Sequence, residues 1–336
     1  MGGKKFSIPA IVVVVILVIG AIALYSTQNP VSYGKEVRPD IEPIEPEMVT
    51  IPAGAFRMGD DTNLPTDRLD DTDREARSRG REISRIALTS VPVHEVHLSE
   101  YAIAKYEVTN EEYKRFCDAT DRPYPRDPDF AEADPRWEGY FEKYPRHPVI
   151  MVSWTDMAAY CKWLADRTGK DYHLPTEAQW EKAARGGLEG KLYPWGDERD
   201  DDAVRLNLTW TSGPVEVGSF APNGYGLHDM AGNVIEAVND WYDEDYYESS
   251  PSKDPVGPSA FANYFSLIDP IERFRSKGRC KVLRGGSFRA PWDWDVMGPD
   301  GLYEMPPRVG GRGYVYQEPY DHFDLGFRVA AGGVWR

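Results

Sequence analysis

Apolar residues follow three rhythms along this chain. From Ile8 to Tyr25 they are nearly continuous (IPAIVVVVILVIGAIALY), and no charged residue lies between Phe6 and Gly34. A helix of that length spans a hydrocarbon core about 30 Å thick, so residues 1–27 are expected to form a transmembrane anchor. Lys4 and Lys5 precede the run and the other flank stays uncharged until Lys35. The positive-inside tendency therefore places the N-terminus in the cytoplasm and the domain on the periplasmic or extracellular side of a single-pass membrane protein. Ala21-Ile22-Ala23 also has the small-x-small pattern of a signal-peptide cleavage site, which keeps a cleaved leader as the rival reading. Residues 28–47 carry Pro30, Pro39, Pro43 and Pro46 among polar residues, the composition of a semi-rigid linker.

The second rhythm is helical. Thr109 with Glu112 forms a capping box ahead of Tyr113, Phe116 and Cys117 on one face. Ser153 opens a helix with Met157, Tyr160, Cys161 and Leu164 at i, i+3, i+4 and i+7, closed by Gly169. Thr176 and Gln179 cap a third, which stops at Gly186-Gly187. The third rhythm is short alternation. Met48 to Met58 predicts a strand pair broken at Pro52-Ala53-Gly54, and beyond Gly187 the chain reads as short strands and turns rich in Trp, Gly, Pro and Asn. Between them, residues 60–90 are dense in Asp and Arg without apolar period, a surface excursion that is either a solvated loop or a partner-docking insertion.

Composition narrows the chemistry. With 336 residues, 41% of them hydrophobic, the chain holds an ample core, and a net charge of −16 without a basic cluster excludes nucleic acid as a partner. Its three cysteines (Cys117, Cys161, Cys280) leave an odd count for an oxidising compartment. Buried thiols and a Cys117–Cys161 bridge both remain open. The six histidines form no metal set: His94 and His97 sit in an expected strand, not on one helical face, and no Cys-x-x-Cys-His haem motif occurs.

In the stretch VLRGGSF (282–288) a Gly-Gly pair allows a tight turn, either a plain connection or the floor of a groove. This stretch does not stand alone. MVTIPAGAFRMG (48–59), YEVTNEEYKRF (106–116), PVIMVSWTDMAAYCKWL (148–164), YHLPTEAQWEKAARGG (172–187), YPWGDE (193–198), NGYGLHDMAGNVIE (223–236), VLRGGSF and LGFRVA (325–330) follow one another in order. Together they resemble the formylglycine-generating enzyme, or sulfatase-modifying factor, family. The resemblance implies an α+β, C-type-lectin-like fold with little regular secondary structure over residues 48–333. It also implies a copper-binding cysteine pair at the places held here by Ala290 and Asp295, so neither copper nor the family's oxidation is expected. No haem or nucleotide is expected either, and the three-histidine iron motif of ergothioneine-type relatives has no counterpart.

Calcium is the one cofactor the resemblance supports, at the turn bearing Asn233, Val234 and Glu236, with a weaker second loop at Asn207 and Leu208 that lacks an acidic ligand. Ile235 and Ala237 replace the tryptophans that flank the glutamate in the family. A groove surface is expected from Ser287, Arg289, Asp293, Asp295 and Arg328. The reading that follows is a non-catalytic, membrane-anchored interaction subunit. Its partners are other membrane-protein subunits, met through the external domain and the anchor, whose Gly20, Ala21 and Ala23 suit close helix packing. The alternatives are an enzyme of altered chemistry on the same scaffold and a peptide- or glycan-binding module.

Overall fold

The computed structural model describes residues 38–61, 90–200, 212–243, 245–258, 280–290, 308–316 and 321–335. The expected anchor, most of the 60–90 excursion, Asn207, Leu208, Asp293 and Asp295 lie outside them. Among the described residues no helix is long and apolar enough to cross a membrane.

Met48–Ile51 (β1) and Gly54–Met58 (β2) break where the sequence predicts, but they do not pair with each other. β1 lies antiparallel to Tyr101–Ala104 (β4), and β2 to His94–Leu98 (β3). The break at Pro52-Ala53-Gly54 redirects the chain from one sheet to another, which strand alternation alone does not reveal. β4 continues through Ala330–Gly332 (β10) to Tyr172–His173 (β5), so the sheet order is β1-β4-β10-β5. A second four-stranded sheet runs Gly313–Tyr316 (β8), Cys280–Arg284 (β7), Ile235–Trp241 (β6), Leu325–Gly326 (β9). His94 and His97 fall on opposite sides of β3, as a two-residue repeat dictates.

The helices form where their caps announce them. Asn110–Thr120 (α1) begins with a complete Thr109/Glu112 capping box, a short turn of helix follows at Tyr140–Lys143 (α2), and Trp154–Thr168 (α3) starts at Ser153 and ends on left-handed Gly169. Tyr113, Phe116, Tyr160 and Phe327 meet edge-on or stacked in the core between α1 and α3. Cys117 and Cys161 are buried there as free thiols, and Cys280 is buried in β7 outside any disulfide. Burial pushes the Cys117 thiol up to about 12 and raises Cys161 as well, because a thiolate would be desolvated.

Glu177–Arg185 (α4) departs from expectation. Its capping box is present, yet all nine residues are buried, Glu177, Glu181, Lys182 and Arg185 among them. An amphipathic helix would turn these to water. Here arginines from distant segments meet them. Arg312 grips Glu177 with two hydrogen bonds of 2.6 and 3.0 Å, while Arg284 bridges Glu177 and Glu181. Arg185 closes on Glu181 at 2.6 Å, and Gly59 N–H donates to the same carboxylate.

Residues 38–47, expected as part of a semi-rigid linker, are docked on the domain. Arg38 N–H donates to Ala119 O (2.7 Å), Arg167 reaches Pro39 O and the Glu42 carboxylate (both 2.9 Å), and Glu45 meets Lys170 and Tyr172. Ile41 packs on the α1–α3 core and Glu47 pairs with Lys105. The domain therefore starts about ten residues earlier than the sequence rhythm indicates.

Candidate functional site

The site grows from two loops stitched together. β7 delivers Arg284 into the core and then turns on Gly285 and Gly286, at φ +91° and +68°. A side chain at Gly285 would place a Cβ 3.1 Å from the Trp180 ring, so both conformation and space call for glycine. Gly232 N–H donates to Gly285 O and Phe288 N–H to Asn233 O, each at 2.8 Å. The 229–234 loop is itself contorted, with Asp229 and Asn233 both at φ +58°, a conformation uncommon outside glycine.

Ser287 and Arg289, expected on a groove surface, are instead buried beside this seam, 4% and 7% exposed, and are joined there by two residues that the sequence does not single out. Ser287 Oγ donates to Asp324 Oδ2 at 2.7 Å, and His322 Nδ1 meets the other Asp324 oxygen. Arg289 N–H donates to Ser287 Oγ, and its guanidinium lies 4.8 Å from the centre of the Phe323 ring. Burial alone would raise Asp324, but His322, the Ser287 hydroxyl and Arg289 outweigh it and hold the carboxyl below its usual value. Asp324 is thus held as an anion between His322 and Arg289, with a hydroxyl locked against it. Ala290 follows, buried against Ala231 with Trp195 beside them.

Arg328 does not belong to that surface. It is fully buried and bound to Glu236 by three hydrogen bonds of 2.7–3.0 Å, while its remaining donors meet main-chain oxygens of Ala104, Lys105 and His228. Trp180 Nε1 adds a 2.8 Å bond to the same carboxylate. Four donor contacts fill the lone-pair directions of Glu236, so it presents no free oxygen to calcium. Asn233 is likewise engaged: its amide donates to Glu107 (2.6 Å) and its oxygen accepts from Val215 N–H (2.9 Å). Both side chains of the expected Asn233/Glu236 donor pair are thus engaged by protein groups. Glu107, Asp229 and Glu236 are all buried, and Arg328 is the guanidinium among them. Burial first, then the neighbouring carboxylates, push Glu107 well above the ordinary range and raise Asp229. One Asp229 oxygen accepts from Gly218 N–H; the other, though buried, has no hydrogen-bond partner. No three His, Cys, Asp or Glu side chains among the described residues assemble as a metal site. A cation at Asp229 would need main-chain oxygens of the 229–234 loop to complete its shell.

Local sequence carried little sign of His322, Asp324, Glu107 or Asp229. Asp324 lies 37 residues from Ser287, and Glu107 lies 126 from Asn233. Glu107 and Asp229 fall within the blocks YEVTNEEYKRF and NGYGLHDMAGNVIE, whereas His322 and Asp324 lie just ahead of LGFRVA.

Known proteins share this architecture. The formylglycine-generating enzyme of Thermomonospora curvata is 31% identical over 292 residues, 72% of this chain and 82% of its own length. That of Streptomyces coelicolor is 40% identical over 157 residues, 43% of each chain, so the match spans less than half of that enzyme. The solved structure of PvdO from Pseudomonas aeruginosa superposes with a TM-score of 0.59 at 26% identity, covering 89% of this chain and 98% of PvdO. Residues 35–332 match the sulfatase-modifying factor enzyme 1-like domain, and the chain belongs to that family.

Proposed function

We propose that this protein uses the family scaffold for binding without thiol oxidation, as a membrane-anchored subunit whose domain lies outside the membrane. One observation supports the reading above others. Ala290, 1% exposed, stands where the resemblance places the first cysteine of the copper pair, and all three cysteines of the chain are buried elsewhere. Copper ligation and oxidation run through thiolates, and burial disfavours the thiolates of Cys117 and Cys161. Full-length protein supplied with copper, oxygen and a cysteine-containing sulfatase-type peptide should form no aldehyde product by mass spectrometry. Product above the protein-free control would overturn the proposal. The partner subunits are sought by purifying the chain from membranes in mild detergent and identifying what accompanies it.

A second reading, an enzyme of altered chemistry, draws on the Ser287–Asp324–His322 chain. The order of that chain weakens it. In a serine nucleophile the imidazole contacts the hydroxyl and the carboxylate lies behind it. Here the carboxylate stands between the two, and the influences that lower its pKa make it a poor base.

Calcium enters the proposal through Asp229 in place of Asn233. Bound there with loop carbonyls, it would supply the positive charge that the buried carboxylates lack and would act as structural glue. A ligand present at a hundred times its dissociation constant stabilises the fold by about 2.7 kcal/mol. Millimolar calcium should therefore raise the Tm of the wild-type chain by several degrees relative to a chelator, and Asp229→Ala should abolish the response. Identical wild-type melting in calcium and in chelator would remove calcium from the account.

A further inference from the structure

We infer that residues 38–47 act as a strap that turns one face of the domain, the C-terminal ends of α1 and α3, toward the lipid surface. The inference rests on the membrane anchoring proposed above and adds to it an orientation. The strap runs in a fixed direction. It starts at the end of α1, where Arg38 N–H bonds Ala119 O, and passes the end of α3, where Arg167 holds Pro39 and Glu42. It then reaches Lys170 and Tyr172 through Glu45 and joins β1 at Met48. Ile41 seats it in the apolar core between the two helices.

Length decides what this does. Twelve residues separate Tyr25, the end of the apolar run, from Arg38. Whatever their conformation, twelve residues reach at most about 40 Å. A domain of this size is about 50 Å across. Such a connection is shorter than the domain is wide, so the far side cannot roll down to the bilayer. Were residues 38–47 free as well, the outer limit would rise to about 75 Å and every face could be presented. Docking the strap thus turns a loose leash into an orienting one. The face it selects carries exposed Arg115 and Asp121 on and beyond α1 and the Lys170 turn after α3.

The test uses the full chain in vesicles of neutral phosphatidylcholine that carry a headgroup-attached quencher. A fluorophore is placed on Arg115→Cys, beside the strap, or on Leu188→Cys, at the exposed turn after α4. The three native thiols are buried, so labelling is directed to the new one. The 115 probe should be quenched several-fold more than the 188 probe. In a strap-release variant, Arg38→Pro with Arg167→Ala and Lys170→Ala, that ratio should fall toward one while the protein stays in the membrane pellet after carbonate washing. Equal quenching of the two probes in membrane-bound wild type, or a ratio unchanged by strap release, would overturn the orientation and leave anchoring intact. Extraction of the wild-type chain by carbonate would overturn the anchoring itself and the orientation with it.

Discussion

Glu177→Ala should lower the stability of this domain by about 3–5 kcal/mol, the usual cost of breaking a buried ion pair from one side. The loss comes mainly from what remains. Arg312 and Arg284, both 0% exposed, would keep their charges in the interior without the carboxylate that Arg312 grips twice and Arg284 shares. Tyr247 would also lose the partner of its hydroxyl. Against a total of about 5–15 kcal/mol for a folded domain, this is a large fraction. In thermal melts the shift should be about 5–8 °C. Glu177→Gln, which keeps the shape and one acceptor, should cost less. Pairing Glu177→Leu with Arg312→Met should recover a good part of the loss, because apolar residues of similar volume replace a buried ion pair at little cost. A Glu177→Ala protein melting within a degree or two of wild type would show that the buried network does not hold the core.

The contrast between α4 and its neighbours shows what a one-dimensional pattern carries. Capping residues act on their own backbone within three positions, so Thr109, Ser153 and Thr176 announce their helices reliably, and the structure places all three helix starts accordingly. Apolar spacing marks Met157, Tyr160, Cys161 and Leu164 as core, and they are buried. Pairing of strands is not local. β1 and β2 are legible as strands, while their partners, β4 and β3, are chosen by an excursion that sequence alternation cannot follow. Burial of charge is less local still. Nothing within α4 distinguishes Glu181 from a solvated glutamate; the difference is Arg284, 103 residues away. The candidate site shows the same division. Its glycine turn and Ser287 are visible in RGGSF, whereas Asp324 and His322 reach Ser287 only through the crossing of β9 beside β6. Proline content suggested a linker at 38–47, yet proline sets backbone stiffness and not contact, and Ile41 and the paired glutamates dock it.

Arg328→Met is expected to be comparably severe, with a pH dependence that identifies the cause. The substitution leaves Glu107, Asp229 and Glu236 buried together without the guanidinium that binds Glu236 on both oxygens. Glu107 is already pushed well above its usual value by burial and by the neighbouring carboxylates, Asp229 is raised by burial, and Arg328 is among the groups that restrain both. A carboxyl raised in the fold binds its proton more tightly there than in the unfolded chain, where Asp and Glu titrate near about 4. Its contribution to stability is therefore complete below that range and is lost as pH rises through the folded value. Removing Arg328 moves the folded values further up and widens that window. At pH 7.5 the variant should melt about 5–8 °C below wild type, and the gap should narrow steadily as the pH is lowered toward 5. The gap between the two proteins is the quantity to follow, since groups such as Asp324, held low in the fold, titrate the opposite way in both. Adding Asp229→Asn to Arg328→Met removes one of the stranded charges and should restore part of the melting temperature at pH 7.5 while flattening its pH dependence. A gap that stays constant from pH 5 to 8 would mean that Arg328 serves by packing and main-chain bonds to Ala104 and His228, and not by balancing buried carboxylates.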